Sequence, residues 1–196
     1  MKKIFLILIF GIAFCSAKNT TKEDIANSIK SVAKSEQIDE RILYTIAYIE
    51  SKLEPYTINF ITNEKFAKRV KRELDKAKYD VKISKYNKTS YAVGITSKQH
   101  NAILALASAL YELKMNIDLG IMQISKQNIK KDELENIFNP RFNLEKSALI
   151  LKKCGDKYSK FYEIIECYNK GFIQKKSYSY FRKFATNYNT FFGDNK

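Results

Sequence analysis

Glu50 is the residue of this chain whose type and setting could do chemistry. It closes an apolar run, Ile46-Ala47-Tyr48-Ile49-Glu50, and is followed by Ser51-Lys52-Leu53-Glu54-Pro55. At 3.6 residues per turn it falls between Leu43 and Ala47 on one side and Ile46 and Leu53 on the other, so its carboxyl points into an apolar face. A poorly solvated carboxyl has a raised pKa and keeps its proton near neutral pH, as a general acid must. The competing reading is a helix-end glutamate that reaches water, as most charged side chains do. Glu54 and Asp118 are the best candidates for a second carboxylate, and neither is expected to be catalytic. His100 is the sole histidine and reads as a surface residue; without a second histidine or clustered cysteines a metal site is not expected.

The elements that must position Glu50 follow from periodicity. Thr20 and Glu23 form a capping box for a first helix carrying Ile25, Ile29 and Val32 to about Lys34. Asp39 caps the second helix, which delivers Glu50, and Pro55 prevents any continuation. Residues 64–78 read as a strongly basic helix, most simply a solvated face. Between residues 79 and 96 the pattern turns to alternation around Asn87-Lys88-Thr89, a small hairpin. A long apolar helix spans about 101–114, and the short segment Asp118-Leu119-Gly120-Ile121-Met122-Gln123-Ile124-Ser125 follows. Asn139-Pro140 marks a turn, Asn143 caps a helix to about Lys153, and Gly155 ends it. Helices over 159–169, stopped by Gly171, and over 177–188 complete a mainly α (α+β) chain with one small β-hairpin.

The N-terminus carries an address. Lys2 and Lys3, the apolar run Ile4 to Phe14 and then Cys15-Ser16-Ala17 make a secretory signal peptide over residues 1–17, cleaved after Ala17. The run is too short to span a bilayer. Cys15 would suit a lipoprotein, but bulky Phe14 stands where a lipidation site wants a small residue. Residues 18–196 then form a single exported, periplasmic domain with no integral membrane segment. The net charge of +14 falls to +12 when Lys2 and Lys3 are removed. Such a surplus favours an anionic partner such as cell wall, membrane or an acidic protein, while no motif points to nucleic acid. Cys154 and Cys167 are a disulfide candidate in an exported chain, worth about 3 kcal/mol. Against it, a turn at Gly155 would leave Cys167 about 15 Å up the next helix, where bridging needs alpha carbons within about 7 Å.

Three spaced pieces stand in order: Glu50-Ser51 with Pro55 downstream, Gly120-Ile121-Met122-Gln123-Ile124, and Tyr168-Asn169-Lys170-Gly171. With Asn139-Pro140 and the Asn143-Leu144 helix, they resemble the catalytic domain of the soluble lytic transglycosylases, which share the goose-type lysozyme-like fold. The resemblance covers residues 24 to 185. The stretch between the first two motifs resembles the transglycosylases that accompany type IV secretion systems. By resemblance, Glu50 is the sole catalytic acid/base and Ser51 the serine of its motif. Met122 and Gln123 match positions lining the sugar cleft, Tyr168 and Asn169 match the pair that faces the glutamate, and Tyr180 matches a cleft tyrosine of the last helix. Cys167 and Lys170 depart from the family's small residues on either side of the Tyr-Asn pair. Each match has a plainer reading: Met122 as core filler, Asn169 with Gly171 as a helix stop, Gly120 as a turn.

The resemblance implies a peptidoglycan lyase without cofactors. Protonated Glu50 would protonate the glycosidic oxygen between N-acetylmuramic acid and N-acetylglucosamine, with the sugar's N-acetyl group stabilising the anomeric centre. Glu50 would then take the proton of the muramic 6-hydroxyl as the 1,6-anhydro ring closes. One carboxylate thus serves where most glycosidases use two. The partner would be peptidoglycan, with secretion-system components as further partners and local opening of the wall as the task. Two alternatives stand beside this: a lysozyme-type hydrolase, which needs a positioned water and a second carboxylate, and a catalytically weak wall-binding assembly protein.

Overall fold

The computed structural model describes residues 20–172 and 177–193; the expected signal peptide over residues 1–17 lies outside them. In chain order the elements are α1 (Lys22–Glu36), α2 (Glu40–Ser51), β1 (Thr57–Asn63), α3 (Glu64–Lys76), β2 (Asp80–Lys85), β3 (Ser90–Thr96), α4 (His100–Glu112), β4 (Ile117–Leu119), β5 (Ile124–Ser125), α5 (Pro140–Lys157), α6 (Phe161–Lys170) and α7 (Ser179–Phe192). The expected mainly α architecture is present, and the hairpin is one part of a five-stranded antiparallel sheet in the order β2-β3-β1-β4-β5.

Local chemistry sets the helix ends. The capping box of α1 is Thr21 with Asp24, one residue later than the pattern suggests, because the Asp24 carboxylate accepts from the Thr21 backbone N–H at 2.8 Å. Asp39 caps α2 by accepting from the Arg41 N–H. The same helix stops at Ser51, four residues before Pro55: Lys52 and Leu53 are both left-handed, with φ of 59° and 65°. Such a pair at a helix end satisfies the last carbonyls and turns the chain sharply.

Two expected caps are corrected. Asn139, not Asn143, caps α5, with Pro140 in its first turn where a missing N–H costs nothing. Gly155 does not end that helix, which continues to Lys157; a Cβ at Gly155 would meet nothing within 4 Å. The connection to α6 is therefore short and begins later than Gly155, which brings Cys154 and Cys167 together as a disulfide with alpha carbons 5.9 Å apart.

α1 packs on α5, α2 on α7, and α6 on both α5 and α7. The fully buried Leu43, Ile46, Ile121, Met122, Leu144 and Ala148 belong to the core that these helices share. His100, expected at the surface, opens α4 half-buried, with its ring 5.6 Å from that of Tyr56 and 6.4 Å from that of Phe138.

Candidate active site

The turn after β4 is the structural hinge of the site. Gly120 has φ of +80°, and a Cβ there would lie 2.3 Å from the Asn143 side-chain nitrogen, so only glycine fits. Asn143 is fully buried and uses its whole amide: Nδ2 donates to the carbonyls of Leu119 (3.0 Å) and Ile137 (2.9 Å), and Oδ1 accepts from the Met122 N–H at 2.7 Å. A residue that reads as a helix cap thus fixes the segment that carries Gln123.

Met122 is buried in the core, and its backbone carries the contacts: the carbonyl accepts from the Tyr168 hydroxyl at 2.8 Å. Ser51 ties α2 to the same segment, donating to the Ile121 carbonyl at 2.8 Å. Both residues tie the site together through these contacts. Gln123, left-handed at φ 49°, turns its amide inward; Nε2 donates to the Gly120 carbonyl at 2.6 Å and Oε1 accepts from Asn59 at 2.8 Å. A left-handed non-glycine residue carries a cost of order 1 kcal/mol, held here by these bonds.

The structure brings Glu50 together with residues from three other elements. Tyr180, in the first turn of α7 and 7% exposed, donates its hydroxyl to Glu50 Oε1. The Asn169 side chain from the end of α6 hydrogen-bonds the same carboxyl, and Lys183 of α7 and the Asp118 carboxyl of β4 act on it through their charges. Burial pushes the Glu50 pKa above the usual carboxylate range, and Asp118 adds to the rise. The Tyr180 hydroxyl, Lys183 and Asn169 pull the other way without cancelling it. Asp118 is itself raised by burial, opposed by a hydrogen bond from Ser125. Tyr168 and Tyr180 are pushed upward by burial and the nearby Glu50 charge, so both phenols are neutral donors.

Tyr168 stands a step back from the acid. Its hydroxyl accepts from Ser147 at 3.1 Å while donating to Met122, and its ring lies 6.4 Å from that of Tyr180. The sequence reading had also passed over Glu166. It is 5% exposed; Oε2 accepts from the Phe181 N–H at 2.8 Å, and Oε1 is buried without a hydrogen bond. An acid between the apolar Ile165 and Cys167, just before Tyr168-Asn169, was the signal available for it. Among the described residues no cluster of His, Cys, Asp or Glu could hold a metal ion.

Glu50, its pKa raised by burial, thus meets a tyrosine and an asparagine from the two C-terminal helices. A family model described as Transglycosylase SLT domain matches residues 27–190. The chain belongs to the SLT transglycosylase family. This makes it a peptidoglycan lytic transglycosylase, a lyase on the family's lysozyme-like fold. No curated protein and no solved structure matches the chain. Of the described helices, none is long and apolar enough to cross a membrane.

Proposed function

We propose that this transglycosylase cuts the β-1,4 bond between N-acetylmuramic acid and N-acetylglucosamine and leaves a 1,6-anhydro-muramic end. The observation that carries the reading is the Glu50 carboxyl, its pKa raised by burial, held by the neutral donors Tyr180 and Asn169. With Oε1 held by Tyr180, the transferable proton is carried on Oε2. It passes to the glycosidic oxygen, and the resulting carboxylate accepts the proton of the muramic 6-hydroxyl as the ring closes. Tyr180 and Asn169 orient the acid through both steps; they and Lys183 lower its pKa by less than burial raises it.

Mass spectrometry of fragments released from purified peptidoglycan tests the reading. Muropeptides one water lighter than the hydrolysed form support it. Asp118 favours a second reading: a buried carboxyl whose charge acts on Glu50 is what a hydrolase needs beside its acid. Reducing ends in place of anhydro ends would make that hydrolysis the reaction. We further place the enzyme, exported by residues 1–17 into the periplasm, at the assembly of a secretion or conjugation apparatus. Support for this comes from the resemblance of the long stretch between the Glu50 and Gly120 motifs, and impaired apparatus assembly in cells lacking the protein is the expected result.

A further inference from the structure

Among the described residues the sheet has one covered face. Ile58, Phe60, Val81, Val93 and Ile95 are buried on it, and α3 packs there through Phe66, whose ring lies 6.5 Å from that of Phe60. The register places Asp118, Asn59, Gly94 and Lys82 opposite one another across β4, β1, β3 and β2, with Ile61, Ala92 and Ser84 in the next row. Directly opposed residues share a face, and these residues alternate with the buried set. On this second face Lys82 and Ser84 are exposed and Ile61 is 50% exposed.

One end of the open face is the site itself. Asp118 acts on Glu50 through its charge, and Asn59 donates to Gln123 Oε1 at 2.8 Å. From there the row runs outward over three strand spacings, about 14 Å, to Lys82. The far end is positive. From Glu64 to Lys88 there are ten lysines and arginines against four acids. Six of the ten stand on α3 behind the sheet, while Lys82, Lys85 and Lys88 with the single acid Asp80 belong to the β2–β3 hairpin that forms the far end. Each of those acids is already paired within the stretch: Glu64 with Lys68, Glu73 with Arg72 and Lys76, Asp75 with Lys71, Asp80 with Lys82. The Asp80–Lys82 pair is 3.5 Å long with both side chains largely exposed, a weak contact that a ligand carboxylate can replace.

We propose that the open sheet face seats the peptide stem of the substrate, with a stem carboxylate against Lys82. The proposal rests on the peptidoglycan reading above. A stem leaving the glycan at the cleft has this face as its continuous exit. Four extended residues span about 13 Å, the length of the row. The stem's free carboxylates reach the positive far end, whereas a bare glycan carries its lactyl carboxylates at the sugar itself and has none that extends to Lys82.

The test compares two substrates, glycan strands bearing stems and the same strands stripped of stems by an amidase, reading release of anhydro-muramic ends. Wild-type protein should cut stem-bearing strands more efficiently, by about fivefold in kcat/KM, the scale of an exposed ion pair, and added salt should erase the difference. Lys82→Glu, which reverses the charge, and Ala92→Trp, which raises a bulky ring from the floor, should each remove that advantage through KM. Their rates on stripped strands should match wild type, a pattern that misfolding cannot produce. Equal losses on both substrates, or no loss in either variant, would overturn the stem assignment while anhydro ends still form. Absence of anhydro ends from wild-type protein on both substrates would overturn the proposed reaction and the stem assignment with it.

Discussion

The hydroxyl of Tyr180 meets the carboxyl of Glu50 across 130 positions of sequence, and it donates to Oε1. That bond favours the charged form of the glutamate, while burial and Asp118 favour the neutral form. The acid's working range is therefore set by a balance whose two sides can be removed separately.

Tyr180→Phe removes a donor that lowers the Glu50 pKa, so the alkaline limb of the kcat profile, where Glu50 loses its proton, should move to higher pH. Asp118→Asn removes a charge that raises it, so the same limb should move to lower pH. Tyr180→Phe should also reduce kcat about tenfold through lost orientation of the acid. Rate profiles of the two variants check the opposite signs. Limbs that move together would mean that the carboxyl they titrate is not Glu50.

Glu50→Gln should lower turnover by about 10³-fold or more, since one group supplies both proton transfers. The same change should stabilise the fold above acid pH. The folded state holds the Glu50 proton more tightly than the unfolded chain, so wild-type stability falls as pH rises from the unfolded glutamate value, about 4.3, through the raised folded one. Glutamine does not titrate. The Tm gap between variant and wild type should be small at pH 4, open across that window and then stay constant. Thermal melts at pH 4 and 8 measure it.

The sequence carries the acid and its helix plainly, because the apolar spacing around Glu50 and the cap at Asp39 are local signals. It carries the partners of Glu50 less well. Tyr180 opens a helix of ordinary aromatic pattern, and nothing within a few residues of it says that it faces an acid in α2. β1 has the β-branched alternation Thr57-Ile58-Asn59-Phe60-Ile61-Thr62-Asn63 of a strand, a weaker signal than the hairpin because no turn motif pairs it with a neighbour. β4 and β5, three and two residues long, are too short to have a period at all. Asn143 and Gly155 misled for a shared reason: asparagine and glycine are helix-end residues by propensity, and here tertiary contacts and an open surface place them inside one helix.

Asn143→Ala should cost about 3 kcal/mol or more, because the Met122 N–H and the Leu119 and Ile137 carbonyls all lose their partner in the core. Gly120→Ala should destabilise through the same side chain, which its Cβ would strike, and through the strained φ. Urea midpoints measure both. In each variant activity should fall further than stability at the assay temperature explains, since Gln123 hangs from this turn.

The Cys154–Cys167 bridge closes a loop of 13 residues of separation and anchors the turn of α6 that presents Tyr168 and Asn169. Replacing both cysteines by serine should lower unfolding free energy by about 3 kcal/mol, read from urea titrations of oxidised wild type and variant. Reduction of wild type should give the same loss, and no further loss should appear in the variant on reduction.

Glu166 acts on the acid through Tyr180. The first turn of α7 has free N–H groups, and Tyr178 provides no side-chain cap. Glu166 reaches over from α6 to take the Phe181 N–H, where its charge also suits the positive end of the helix. Glu166→Leu removes that acceptor, so Tyr180 should loosen from Glu50, kcat should fall, and the alkaline limb should move to higher pH, as in Tyr180→Phe. Glu166→Gln keeps an acceptor oxygen and should restore the limb. In a Tyr180→Phe background, Glu166→Leu should leave the limb where it already stands, because the bond it acts through is gone. Additive shifts in the double variant would assign Glu166 to the general stability of α7 instead.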